Sequence, residues 1–525
     1  MTSAAAPPMT DAADPASIAA PNSDDLRRFA DLQRDFARSF GDIFPDPHRS
    51  KSVLIVPSLS LDGHVLSKIS GAHHYEERQL CLLLLLRMPR TRVIYVTSTP
   101  IHEAIVDYYL HLLPGIPSEH ARARLTLLSC DDASPAPLSQ KILARPRLME
   151  RIKSSIADPS TAHMTCFTVS ELERRLALRL GIPIFGCDPS LLHWGSKSGS
   201  RQIFKEAGID HPLGYEDLGS PQSVAEAVVE LKARKPDLEQ VVVKLNEGFS
   251  GEGNAVLDLK ELPTSPVSAA QVRGRLPQMA FEARDMSWER FAEKIATMGA
   301  VVEEFVPGKA KRSPSAQLRI DPAGSVEAIS THDQVLGGRS GQIFLGCRFP
   351  ADQSYRLEVQ TLGLEAARAL AARGVIGRLG VDFISVKEGL RWRHLAIEVN
   401  LRKGGTTHPF QMLQFLTDGH YDPATGDFLT PAGQPRCYYA SDNLESERYR
   451  GLTPLDLIDI AVMNGLHFHA ASGQGVAFHL IGALSEFGKL GVVCIGDTVA
   501  AADELYRRTV GVLDAEGQRA LISQS

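Results

Sequence analysis

The sequence predicts a multidomain protein of mixed class, an α/β domain followed by α+β domains. Three observations point there. The chain has 525 residues, and at ~100–200 residues per domain that length calls for several separate cores. Between about residues 49 and 190 short apolar runs alternate with helical patterns, as in a parallel sheet covered on both faces. Beyond residue 191 the order changes to strands joined by glycine-rich and short polar turns, which is the mark of antiparallel hairpins.

Composition removes several classes. Hydrophobic residues make up 43% and charged residues 22%, with a net charge of −6, so no global cationic field draws the chain to nucleic acid or anionic lipid. The longest apolar run, Cys81 to Leu86, is stopped by Arg87 and is far short of the ~20 residues that span a bilayer; it reads as a buried helix segment. Seven cysteines lie scattered with no C-x-x-C pair, which fits a reducing compartment and neither a zinc nor a disulfide framework. The first residues are rich in Ala, Pro, Ser and Asp and lack the basic start and apolar stretch of a signal peptide. Residues 1–23 are therefore expected to be a disordered tail, and the location cytoplasmic.

Taken in order, residues 24–48 begin with Leu26, Phe29, Leu32, Phe36, Phe40 and Ile43 at three- and four-residue steps, an amphipathic helix. Strands are expected at 53–57, 92–97, 125–129, 164–168 and 182–185, with helices over 101–113, 138–156 and 169–180; together they make an α/β domain over 49–190. A second domain, 191–415, opens with helices over 198–207 and 223–234 and the strand 240–245. That strand enters Asn246-Glu-Gly-Phe-Ser-Gly-Glu-Gly-Asn254 and returns through 255–259. Residues 261–287, rich in Pro and polar residues, read as a loop before a helix over 288–298 and a strand over 300–306. Antiparallel strands span 316–348, a helix 357–373, and two strands, 380–386 and 393–400, meet at a turn around Glu388-Gly389. The remainder, 416–525, reads as a small α+β unit with a helix over 455–466, strands over 475–481 and 491–495, and a helix over 499–513.

Two features carry chemistry. Lys244 ends a strand that runs into Gly248, Gly251 and Gly253; glycines let backbone N–H groups approach phosphate closely, and the lysine adds a point charge. Asp382 lies among apolar strand residues, and Glu398 and Asn400, two apart, share a face of the next strand. Carboxylates in such a setting are costly unless neutralised, and Mg²⁺ with its phosphate and water ligands does this well. Arg402, Lys403 and Gly404-Gly405-Thr406-Thr407 follow at once with cations and N–H donors for an anion.

In this order the features resemble the ATP-grasp superfamily of carboxylate–amine ligases, over about residues 191 to 410. Ser196-Lys197 with Lys205-Glu-Ala-Gly-Ile-Asp-His-Pro212 looks like the opening of its ATP-binding subdomain, and Val301-Val-Glu-Glu-Phe-Val-Pro-Gly308 like its hinge strand. The flanking Gly71-Ala-His-His-Tyr-Glu-Glu-Arg78 and Gly482-Ala-Leu-Ser-Glu-Phe-Gly-Lys-Leu-Gly491 resemble the pheganomycin-type peptide ligases. The resemblance implies a Rossmann-like pre-ATP-grasp domain, a two-lobed ATP-grasp fold and a small C-terminal domain. It implies ATP bound by Lys197, Lys244, Gly248, Gly251, Gly253 and the hinge residues Glu303, Glu304, Phe305 and Val306. It further implies a pair of Mg²⁺ ions, with Mn²⁺ as the alternative, on Asp382, Glu398 and Asn400, and a phosphoryl-stabilising Arg402. Arg319, Arg339 and Arg378 are candidates to clamp a substrate carboxylate. The position four past the hinge, where many members carry a ribose-binding Glu, is Ala310.

The expected activity is ATP-dependent joining of a small-molecule carboxylic acid, through an acyl phosphate, to an amine, an amino acid or a peptide. A non-catalytic nucleotide-binding scaffold and a thiol or hydroxyl acceptor are the alternatives. No nucleic-acid or membrane partner is expected, and a homo-oligomer is left open. Around His467, His469 and His479 no carboxylate or cysteine nearby in sequence completes a zinc pattern, so these read as core or surface histidines. Lys197 occupies the middle of Gly195 to Gly199, so the chain lacks a Gly-x-Ser-x-Gly elbow there.

Overall fold

The computed structural model describes residues 21–60, 66, 69–248, 253–260, 262, 267–308, 310–337 and 343–524. The described residues divide into two compact units, one running to Phe185 without 111–115 and the other starting at Gly186. No helix among them is long and apolar enough to cross a membrane.

The first unit holds a four-stranded parallel sheet in the order Leu125–Ser129, Thr91–Thr97, Lys51–Val56, Ala162–Cys166. The expected strand at 182–185 is reduced to a single bridge between Met164 and Ile184. The helix Ser23–Ile43 belongs to this unit: the Gln33 amide bonds both Ile184 N and Ile184 O, at 2.8 and 2.9 Å, and Phe36 stacks on His163. The helix expected over 138–156 is two, Leu138–Leu143 and Pro146–Ser155. Proline has no N–H and clashes with the turn before it, so it starts a helix more readily than it continues one. The apolar run 81–86 lies in a 3₁₀ helix, Ala72–Arg87.

Among its described residues the second unit contains a two-stranded ribbon, His420–Asp422 with Asp427–Leu429, and two larger antiparallel sheets. The smaller has five strands in the order Gly214–Leu218, Ala300–Glu304, Gln240–Leu245, Asn254–Asp258, Ala280–Phe281. The helices Pro221–Arg234 and Trp288–Met298 close its core through Val224, Leu231, Phe291 and Ile295. The stretch read as a loop over 261–287 in fact carries the helix Ala269–Arg275, capped by Ser268, and a strand at Ala280–Phe281. Its few apolar residues, Val272, Leu276 and Met279, are spaced to bury on that core.

The larger sheet has nine strands. Gly377–Glu388 lies between Pro314–Ile320 and Arg391–Asn400, and the sheet continues through Val326–Gly337 and Ile343–Phe349. Ala316, Leu318, Leu379, Val381, Ala396 and Val399 point to one face and pack with the helix Arg356–Ala371. The alternate residues, including Ser315, Asp382 and Glu398, take the other face. Strands of the segment from 416, expected as a small α+β C-terminal domain, are hydrogen-bonded into this sheet. Cys347 pairs with Ala440 of Cys437–Glu445, which pairs with Lys489–Gly496, which pairs with Gly475–His479. The strand Cys437–Glu445 and the helix Thr407–Thr417 were absent from the sequence reading. Both mix polar with apolar residues, so neither period stands out.

Candidate active site

Lys197 is placed by its helix start. Ser196 caps the helix Lys197–Glu206 by accepting from Gly199 N at 3.0 Å. A Cβ at Gly199 would lie 2.1 Å from the His193 carbonyl, so only glycine passes there. Asn246, two residues past Lys244, ties this turn to the small sheet. Its Oδ1 accepts from Ser198 N at 3.0 Å and Ser198 Oγ at 2.7 Å, while its Nδ2 donates to Met298 O at 3.0 Å. The Ser200 hydroxyl accepts from Val399 N at 3.0 Å, which binds the same helix to the large sheet. The result is that Lys197 Nζ donates to Glu398 Oε1 at 2.7 Å.

Lys244 is held from the other side. Its Nζ donates to Glu303 Oε2 at 2.6 Å, and Arg201 Nη1 donates to Glu303 Oε1 at 2.8 Å. All three residues are buried. Burial would raise the Glu303 carboxyl, but Lys244 and Arg201 outweigh it and hold the group below the ordinary carboxylate range. The other three hinge residues expected to meet a nucleotide are anchored separately. Glu304 pairs with Lys235 at 2.8 Å, Phe305 N donates to Gln240 O at 3.1 Å, and the Lys311 ammonium bonds Val306 O and lies 4.7 Å from the Phe305 ring.

Asp382 and Glu398 are direct partners across two neighbouring strands, with a bulge just beyond Asp382. Asn400 Nδ2 donates to Asp382 Oδ2 at 2.9 Å and Gln334 Nε2 donates to Asp382 Oδ1 at 2.7 Å. Enclosure by the sheet and the nearby Glu398 charge push the Asp382 carboxyl up to about 6, against the Ser315 hydroxyl, Arg402 and Lys197. Arg402 follows on the same chain turn, its Nη1 donating to Lys403 O at 3.2 Å. In the adjoining loop Gly404 N donates to Thr407 Oγ1 at 2.9 Å, and a Cβ at Gly405 would lie 2.6 Å from the Phe344 ring.

Thus Lys197, Glu398, Asp382, Asn400 and Arg402 come together, and in the small sheet Lys244 meets Glu303 of the neighbouring strand. Gly248 and Gly253 stand at the two ends of the glycine loop; a Cβ on Gly248 would reach Gly253 at 3.3 Å. Gly251 and Arg339 lie outside the described residues. Arg319 and Arg378 do not join the cluster. They oppose each other across a strand pair, four residues from Ser315 and Asp382, about 13 Å along the strand, and Arg319 is paired with Glu327. Arg201, Asn246, Gln334 and the side-chain role of Glu303 escaped the sequence reading. Arg201 had a signal, since it sits four residues from Lys197 on one helix face; Gln334 had none, because only strand register brings it to Asp382.

Known proteins align with this architecture. An IQCH-like ATP-grasp family matches residues 190–282 and 268–424, and the PGM1 C-terminal domain matches 456–509. L-propargylglycine–L-glutamate ligase of Streptantibioticus cattleyicolor is 31% identical over 480 residues, 89% of this chain and 95% of that protein. IQ motif-containing protein H of Danio rerio is 23% identical over 430 residues, 73% of this chain and 40% of that protein. In fold, the chain is similar to the ADP complex of N5-carboxyaminoimidazole ribonucleotide synthetase, with a TM-score of 0.51 at 14% identity over 89% of this chain and 97% of that one. The chain belongs to the ATP-grasp carboxylate–amine ligases. It is an ATP-dependent enzyme that forms an amide bond between a small-molecule carboxylic acid and an amine.

Proposed function

We propose that the enzyme joins the carboxylate of one amino acid to the amine of another amino acid or a short peptide, in the cytoplasm, with Lys197, Lys244, Asp382, Glu398, Asn400 and Arg402 as its working groups. The observation that carries this reading is the Lys197–Glu398 ion pair, which brings an anion-binding cation at the start of the helix Lys197–Glu206 onto the carboxylate pair of the large sheet. The name of the Streptantibioticus relative, a ligase of two amino acids, supports the substrate class.

The donor set suits Mg²⁺. Two carboxylates and an amide share one face of two paired strands, and burial together with the Glu398 charge raises the Asp382 carboxyl, a cost that a bound cation would offset. Asp382, Glu398 and Asn400 would hold it, and Mn²⁺ fits the same oxygens. Bound there, the ion supplies charge neutralisation to the nucleotide phosphates. Lys197 and Lys244 exchange their glutamate partners for phosphate oxygens. The acid's carboxylate oxygen attacks the γ-phosphorus, the bond to ADP breaks, and an acyl phosphate forms. Arg402 donates to the transferring phosphoryl oxygens as their charge spreads. The neutral amine then attacks the acyl carbon, phosphate leaves, and the amine proton passes to solvent or phosphate. The hinge backbone from Glu303 to Val306 receives the adenine edge.

ADP release measured over a matrix of amino acids as acids and amino acids or dipeptides as amines tests this, with the product mass read in each productive pair. An amide of two amino-acid units is the expected product. A thioester, a phosphate ester or ADP release without coupling would overturn the assignment.

A further inference from the structure

Behind the loop that follows Arg402, three side chains from distant parts of the chain meet at one point. His408 stands at the start of the helix Thr407–Thr417, Asp442 in the strand Cys437–Glu445, and His479 at the end of the strand Gly475–His479. All three are buried. His408 Nε2 lies 3.0 Å from Asp442 Oδ1, His479 Nε2 lies 3.0 Å from the same oxygen, and the two Nε2 atoms lie 3.0 Å from each other.

Protons can satisfy at most two of this triangle's three contacts. If both Nε2 atoms carry hydrogen, both donate to Asp442 and the two N–H groups crowd each other at 3.0 Å. If one is bare, its lone pair faces an ionised Asp442 oxygen or accepts from a protonated one, and in either case one 3.0 Å contact is left without a hydrogen bond. A cation accepts all three lone pairs at once. A tetrahedral ion held at ~2.0–2.1 Å sets its donors roughly 3.3 Å apart, so a shift of a few tenths of an ångström admits one. Two further observations show that the backbone is shaped around this point. A bulge between Ser441 and Leu444, opposite Val492 to Leu490, sits at Asp442, and bulges re-aim side chains. The residue facing that bulge is Gly491, where a Cβ would lie 2.1 Å from His479 Nε2; any other residue would displace the ring from the cluster.

We propose that His408, Asp442 and His479 form a buried site for one divalent transition-metal cation, Zn²⁺ by its imidazole and carboxylate donors. The ion has a structural role. It pins the start of the Thr407–Thr417 helix, and with it the loop carrying Arg402 and Gly404-Gly405-Thr406-Thr407, to the strands of the C-terminal segment. This site is separate from the Asp382–Glu398–Asn400 cluster, and it stands or falls independently of the substrate reading.

The test is the metal content of the full chain, purified without a histidine tag or chelator and measured by inductively coupled plasma mass spectrometry. One zinc per chain is expected in the wild type and in Glu398→Gln, and loss of it in Asp442→Asn and His479→Ala. Since a variant could lose metal by unfolding, the wild type is also stripped with chelator and melted with and without added ZnCl₂. A fall in Tm on stripping, restored by Zn²⁺ and absent in folded Asp442→Asn, supports the site. Metal-free wild-type protein whose Tm does not respond to Zn²⁺ overturns it and leaves a purely hydrogen-bonded cluster.

Discussion

Glu303 shows how a single buried charge can set up a site. Lys244 and Arg201 are buried with it and both face its carboxylate, while Arg201 also pairs with Glu216 and donates to Pro212 O. Removing one member of a buried ion pair strands the others and costs about 3–5 kcal/mol. Glu303→Gln is therefore expected to lower the urea midpoint of the second unit by a stability loss of about 3 kcal/mol, and to weaken ATP binding as Lys244 loses its position. Stability unchanged within error would show that the Glu216 and Pro212 contacts of Arg201 are enough to hold the cluster without the Glu303 charge. The metal-type residues predict a different pattern. Glu398 is half-buried and shares its charge with Lys197, so Glu398→Gln should leave the fold intact. It should lower metal-dependent ADP release by roughly a hundredfold or more. Full turnover in that variant would remove Glu398 from the site.

At the level of elements, Asn246 joins three of them: the Lys197 helix start, the end of the Gln240–Leu245 strand and the end of the Trp288–Met298 helix. Its amide is the only described link that fastens Ser198 by both N–H and hydroxyl. Asn246→Ala leaves those donors and the Met298 carbonyl unsatisfied, at about 1–3 kcal/mol. Because the turn it holds carries Lys197, the variant should also raise the KM for ATP more than it lowers kcat. Differential scanning calorimetry and steady-state kinetics on the same preparation check both halves. A change in Tm with no change in KM would mean that the clamp supports folding only. The helix pair Leu138–Leu143 and Pro146–Ser155 teaches the converse lesson: the apolar spacing runs through Arg145, yet Pro146 divides the element.

Across the whole molecule, the first unit carries its own pH dependence. Glu76 is buried, with Ser98 N and Ser98 Oγ each donating to its carboxyl at 2.6 Å and Lys141 Nζ donating to Ser98 Oγ at 2.9 Å. Burial pushes the Glu76 carboxyl up to about 7 despite the Ser98 bonds and Lys141. A carboxyl whose folded pKa is raised contributes stability that is fully present below the unfolded value of about 4.5 and is lost as pH rises through about 7. The loss amounts to about 3 kcal/mol over that window. Melting curves of the wild type should therefore show the first unit's transition falling between pH 5 and pH 7.5 by more than in Glu76→Gln, whose amide does not titrate. Parallel pH profiles in the two proteins would place the proton elsewhere.

Order along the chain was enough to read the parallel domain from its alternating strands and helices, the Lys244 hairpin, and the two late strands with Asp382, Glu398 and Asn400. These signals are local: side-chain period, turn residues and two-residue spacing depend on a few neighbours only. Pairing between distant segments left no such trace. The union of the C-terminal strands with the large sheet, the approach of Gln334 to Asp382 and the remoteness of Arg319 and Arg378 all follow from strand register. The histidines show the same divide. No carboxylate close to His479 in sequence completes a metal pattern, yet Asp442 and His408, 37 and 71 residues away, stand 3.0 Å from it, because two strands and a helix start converge behind the Arg402 loop.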